Sequence, residues 1–136
     1  MQRLDHVGFV TASIRDAAPD FARSIGTTWN GEITHDPLQQ VNVAFLRGVG
    51  PQDPSVELVE PVGPGSPVSR FLERGGGLHH LCYEVANLET QLTLSRSYGG
   101  LVVRPPLPAV AFGGRRIAWV YTRQKLLIEY LERSTA

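Results

Sequence analysis

The sequence predicts an α+β fold in which the order strand–helix–strand–strand–strand occurs twice. Two observations carry this. Each half opens on an alternating strand followed by a stretch with helical apolar spacing. The polar residues on matching strands also repeat: His6 and His80 are 74 residues apart, and Glu57 and Glu129 are 72 apart. The 136 residues suffice for one domain, 1–136, with a real core. Module one covers about 3–62, a linker and short helix about 63–75, and module two about 76–133.

The elements follow in order. RLDHVGFVTA (3–12) alternates as a strand. IRDAAPDFARSI (14–25) places Ile14, Ala17, Ala18, Phe21, Ala22 and Ile25 on one helical face. Ser13 is its N-cap and Gly26 its stop, while Pro19 is expected to shorten or kink it. Trp29 and Asn30 stand at the start of a strand, and His35 is read as a loop residue. QVNVAFLR (40–47) and PSVELVE (54–60) are strands around the turn-rich GVGPQDP. PVGPGSP leads into a short helix, VSRFLERG. GLHHLCYEV (77–85) is the next strand, and LETQLTLSRSY (88–98) a helix ended by Gly99 and Gly100. LVVRP is a short strand before the loop PPLPAVAFGG. RRIAWVYT and KLLIEYLE form a hairpin around Arg123 and Gln124.

Composition narrows the function classes. Lys+Arg and Asp+Glu both number 13, so no basic stripe exists to track phosphates and no nucleic-acid partner is expected. No stretch approaches the roughly 18 apolar residues that span a bilayer. The charged N-terminal MQRLDHVGF lacks the apolar core of a signal peptide, and the one cysteine, Cys82, excludes an intramolecular disulfide. A soluble, cytoplasmic protein is the expectation.

Strand parity sorts the polar residues. His80 shares a face with Leu78, Cys82 and Glu84, and His79 points the other way. Glu57 sides with Val59, and Glu129 with Leu127 and Leu131. Carboxylates among aliphatic neighbours are costly unless paired or bound to a cation. Glu60 and Glu132, three positions on, are read as solvent-side charges. Val41, Val43 and Phe45 face inward in module one, and Arg115, Ile117 and Trp119 in module two. Arg115 and Arg116, after two glycines, either grip an anion or form a turn and a strand with one exposed arginine. Cys82 is read as a buried packing residue.

LDHVGFV, VELVEP, GLHHLCYEV and LLIEYLE, in that order, resemble the vicinal oxygen chelate superfamily, which includes glyoxalases, bleomycin resistance proteins and dioxygenases. The most telling stretch is VELVEPVGPGSPVSRFLERGGGLHHLCYEV, which is similar to methylmalonyl-CoA epimerases and glyoxalase-like relatives. The resemblance implies two βαβββ modules whose strands form a curved sheet cup around a metal site. It implies His6, Glu57, His80 and Glu129 as ligands of one divalent ion, with His79 left out. Two imidazoles and two carboxylates suit Co²⁺, Mn²⁺, Ni²⁺, Fe²⁺ or Zn²⁺. The implied chemistry is chelation of a vicinal-oxygen or 1,3-dicarbonyl substrate and movement of an alpha proton through an enolate, as in an epimerase or isomerase. An acyl-CoA is one such substrate, and relatives that pair through their sheets imply a homodimer.

The sequence also departs from the pattern. Several epimerases carry an acid/base glutamate on the third strand of module one, where Val43 stands, so Glu129 becomes the candidate base as well as a ligand. YTRQK is shorter than the usual loop between the last two strands, which puts thioester recognition in question. Val43, Phe45, Arg115, Ile117 and Trp119 would line an apolar, aromatic cup with one cation. That lining also suits a lyase or cyclase working on a bulky secondary-metabolite intermediate. A drug-sequestering resistance protein is a third reading, against which the complete ligand set counts. An extradiol dioxygenase ranks lowest, because a carboxylate fills the fourth position.

Overall fold

A computed structural model describes residues 2–134, which form eight strands and three helices longer than one turn. The strands are β1 (Arg3–Val10), β2 (Thr34–Asp36), β3 (Val41–Leu46), β4 (Ser55–Pro61), β5 (Gly77–Val85), β6 (Leu101–Pro108), β7 (Arg116–Tyr121) and β8 (Leu127–Glu132). The helices are α1 (Ile14–Ser24), α2 (Ser69–Glu73) and α3 (Leu88–Ser97). The strand order is β2-β3-β4-β1 in the first half and β5-β8-β7-β6 in the second. Among the described residues no helix is long and apolar enough to cross a membrane.

The chain forms two compact units, one from His6 to His79 and one from His80 onward that also takes the first residues of β1. Both have the same internal topology. In the first, β1 runs parallel to β4, β4 antiparallel to β3, and β3 antiparallel to β2. In the second, β5 runs parallel to β8, β8 antiparallel to β7, and β7 antiparallel to β6. A parallel pair needs a long crossover, and the helix and the hairpin strands supply it each time.

In the first unit, α1 lays Ile14, Ala18 and Ala22 on Ala44, Leu46 and Leu58. The 14-18-22 spacing is one helical stripe, and the alanines let the helix axis come close to the sheet. Ser13 caps α1 by accepting from the Asp16 N–H at 3.2 Å. Gly26, at φ +73°, ends it, and the next N–H returns to the Ala22 carbonyl. Pro19 does not shorten α1, which runs its full 11 residues. Arg15 and Pro19 are both exposed, so water can satisfy the carbonyl that a proline leaves without a donor.

In the second unit, α3 packs Leu88 and Leu92 on Val85, Ala118, Val120 and Tyr130. Asn87 caps it, accepting from the Thr90 N–H at 2.9 Å. The opposite sheet face is covered by the chain's own turn at 110–112, where Ala109 and Phe112 pack on Cys82, Ile117 and Leu131.

Four further sequence expectations differ from the structure. Trp29 and Asn30 do not start a strand: they lie before β2, where the Trp29 indole N–H donates to the Glu32 carbonyl and Asn30 Oδ1 accepts from the Glu32 N–H at 2.9 Å, a local turn that keeps the backbone from pairing. His35 lies on β2 instead of in a loop, its Nδ1 3.0 Å from Asn42 Oδ1. That strand is only three residues long, too short for alternation to show. β6 continues through Pro105 and Pro106 to Pro108, because it is the last strand of the sheet order and an edge tolerates missing N–H donors. Glu60 and Glu132 are half-buried and engaged instead of free in solvent. Glu60 accepts from the Ile14 N–H at 2.8 Å and from Asn42 Nδ2 at 3.0 Å. Glu132 is held by both Nε and Nη2 of Arg116.

Candidate metal centre

Each module builds the same three-residue unit. In module one, His6 comes from β1, Glu57 from β4 and Phe45 from β3. His6 Nε2 lies 3.3 Å from Glu57 Oε1. Phe45 stands opposite Glu57 in the antiparallel register and meets the His6 ring edge-on, with centroids 5.5 Å apart at 78°. In module two, His80 comes from β5, Glu129 from β8 and Trp119 from β7. His80 Nε2 lies 3.4 Å from Glu129 Oε1. Trp119 stands opposite Glu129 and meets the His80 ring edge-on at 4.7 Å and 81°. An aromatic ring presents its negative face to a positive edge, so each wall favours one orientation of its imidazole.

Each unit thus offers one imidazole nitrogen and one carboxylate oxygen within 3.3 and 3.4 Å of each other, the donors an ion can share. All four residues are buried, at 0, 5, 4 and 3% exposure. Donors bound at about 2.1 Å to one ion lie about 3.0 Å apart in octahedral and about 3.4 Å apart in tetrahedral geometry. The two His–Glu separations fall at these spacings. Two buried carboxylates beside two imidazoles also need positive charge to remain ionised out of water. The donor set therefore fits a divalent cation of the borderline kind that accepts both nitrogen and oxygen.

The other residues singled out from the sequence are placed as follows. Val41 and Val43 are buried on β3, Val43 opposite Val59. Ile117 is buried among Cys82, Ala109 and Leu131, under the 110–112 turn. Arg115 precedes β7 and is tied down, with Nη1 3.2 Å from Glu84 Oε2 and bonded to the Glu132 carbonyl. Arg3 and Arg133 lie against the same Glu84. Arg115 thus helps close an ion cluster around Glu84 within the second compact unit. His79 packs its ring on Phe71 of α2 at 4.9 Å. Cys82 is fully buried.

Sequence reasoning passed over Arg47. Its guanidinium carbon lies over the Phe45 ring, 4.6 Å from the centroid. It stands two residues beyond Phe45, on the same parity as Val41 and Val43, and that spacing was the available signal.

Comparison with known proteins agrees with this geometry. Residues 5–119 match the Glyoxalase/Bleomycin resistance protein/Dioxygenase superfamily, and the chain belongs to it. The chain is 35% identical over 136 residues to the uncharacterized protein YqjC of Bacillus subtilis (strain 168), covering 97% of this chain and 93% of that one. It is 28% identical over 123 residues to the ethylmalonyl-CoA/methylmalonyl-CoA epimerase of Cereibacter sphaeroides, covering 89% of each. The crystal structure of methylmalonyl-CoA epimerase from Mycobacterium tuberculosis superposes with a TM-score of 0.80 at 26% identity, over 97% of this chain and 88% of that one. The fold is the glyoxalase-like one expected from the sequence.

Proposed function

We propose that this superfamily member is a metal-dependent epimerase or isomerase that moves the proton alpha to a carbonyl, acting on an acyl thioester of the methylmalonyl-CoA kind. The observation that carries the reading is the buried His–Glu pair, built twice over by equivalent strands. The epimerase relatives supply the reaction class.

His6, Glu57, His80 and Glu129 would hold the ion. A divalent cation bound there supplies Lewis acidity, which lowers the pKa of a proton alpha to a carbonyl. The chain's own groups do the rest. Phe45 and Trp119 hold the two imidazoles edge-on and shield that side from water. Val43 is buried and has no proton to exchange, so the proton falls to a carboxylate already at the site. Glu129 takes that role in this reading, with its backbone fixed between Trp119 on β7 and Cys82 on β5.

A second reading rests on the same Val43. With an apolar side chain where several epimerases have an acid, one carboxylate can remove a proton without another to return it on the opposite face. Elimination by a lyase needs only the first transfer. Solvent deuterium entering recovered substrate favours the epimerase, and net loss of a leaving group favours the lyase.

Metal content decides the premise. Protein purified without chelator or nickel resin is expected to carry close to one divalent ion per chain by elemental analysis. His80→Ala is expected to lose it while keeping its far-UV circular dichroism. Metal-free wild-type protein that takes up no Co²⁺, Mn²⁺ or Zn²⁺ would sink the reading and move the drug-binding alternative to first place.

A further inference from the structure

Module one carries a cation that the proton transfer does not use. Arg47 lies just past the end of β3, with its guanidinium over the Phe45 ring at 4.6 Å. Phe45 in turn packs on the His6 ring at 5.5 Å. Together these contacts keep the positive charge within about 10 Å of the His6 imidazole. The main chain is pinned at that point, because the Arg47 carbonyl accepts from Thr27 Oγ1 at 3.3 Å.

The side chain is exposed, and among the described residues no carboxylate is paired with it. That sets it apart from Arg115, which is held by Glu84, and Arg116, which is held by Glu132 and Glu89. A guanidinium resting on an aromatic face keeps its N–H donors at its edge, where they can grip a carboxylate or a phosphate with two parallel bonds. The ring below limits its rotamers, so less freedom is lost when an anion binds.

We propose that Arg47 is the anion-recognition residue of the substrate site. The substrate then carries a carboxylate or phosphate tethered to the group that reaches the candidate metal ligands. This rests on the thioester reading above and assigns the residue that grips the charged end of such a thioester. A lone acyl chain or a neutral polyketide would leave Arg47 without a role.

Calorimetric titration of metal-loaded wild type, Arg47→Ala and Arg47→Lys tests this. The probes are methylmalonyl-CoA, propionyl-CoA and the N-acetylcysteamine thioester of methylmalonate, which lacks phosphates. If the anion is the carboxylate, Arg47→Ala weakens both methylmalonyl probes about tenfold and spares propionyl-CoA, as expected for one charge-assisted pair. If it is a phosphate, both CoA esters weaken and the N-acetylcysteamine ester does not. Arg47→Lys recovers part of either loss, since it keeps the charge without the fork. Equal affinities of wild type and Arg47→Ala for every thioester overturn the proposal and leave the thioester reading standing. If wild type binds no thioester, that reading falls instead, and free malonate and tripolyphosphate become the probes. Binding of either that Arg47→Ala weakens sustains the anion role, and binding that is absent or unchanged overturns it.

Discussion

Glu57 and Glu129 are equivalent by strand, register and burial, yet the proposed reaction asks different things of them. As ligands they are interchangeable, so either glutamine variant should weaken metal binding. As bases they are not. Glu129→Gln is expected to cut exchange of the substrate's alpha proton with deuterated solvent at least about 100-fold, the usual size of a general-base contribution. That loss should persist at saturating metal. Glu57→Gln should regain most of its exchange once metal is saturating. Equal, metal-rescuable losses in the two variants would mean that Glu129 is a ligand only and the base lies elsewhere. The sequence singles out Glu129 as base only through the family resemblance and the valine at position 43; as residues, both show only as carboxylates on aliphatic strands.

At the scale of elements, most of the fold was legible because each signal was local. Alternation marked β1, β3, β4 and β5, and Ser13, Gly26, Gly99 and Gly100 marked helix ends. Partnership was not legible. Glu60 and Glu132 have the parity of the helix-covered face, and there each is bound to the structure beside its module's helix. Glu60 accepts from the first N–H of α1. Glu132 holds Arg116, which reaches Glu89 in the first turn of α3. The hydrogen bonds from Arg116 hold the Glu132 carboxyl below its ordinary value. A carboxylate with a lowered folded-state pKa stabilises the protein above its unfolded value and loses that contribution as pH falls through the folded one. Glu132→Gln should therefore cost about 0.5–1 kcal/mol near neutral pH, an amount already reduced for solvent screening. The difference from wild type should shrink below the ordinary glutamate value of about 4.3. Urea denaturation at both pH values reads this directly, and a constant difference would assign the loss to packing.

For the molecule as a whole, the repeat was the most informative feature of the sequence, because nearly equal offsets of 74 and 72 residues paired His6 with His80 and Glu57 with Glu129. Parity turned Phe45 and Trp119 inward, and the structure sets each against a histidine ring. What parity does not give is the partner: Arg115 is spent on Glu84, while Arg47 rests on the Phe45 ring. The duplicated arrangement also makes a thermodynamic claim. If four donors on four strands share one ion, metal binds the folded state alone and raises its stability by about 2.7 kcal/mol at a hundredfold excess over the dissociation constant. Chelator-treated protein should then show a clear rise in Tm on adding Co²⁺ or Mn²⁺. His6→Ala and His80→Ala should each abolish most of that rise, and the double variant should lose little more than either, because residues that share one ligand are coupled. If each single variant instead removed half of the rise and the double removed all of it, each His–Glu pair would be binding its own ion, and the shared centre would have to be abandoned.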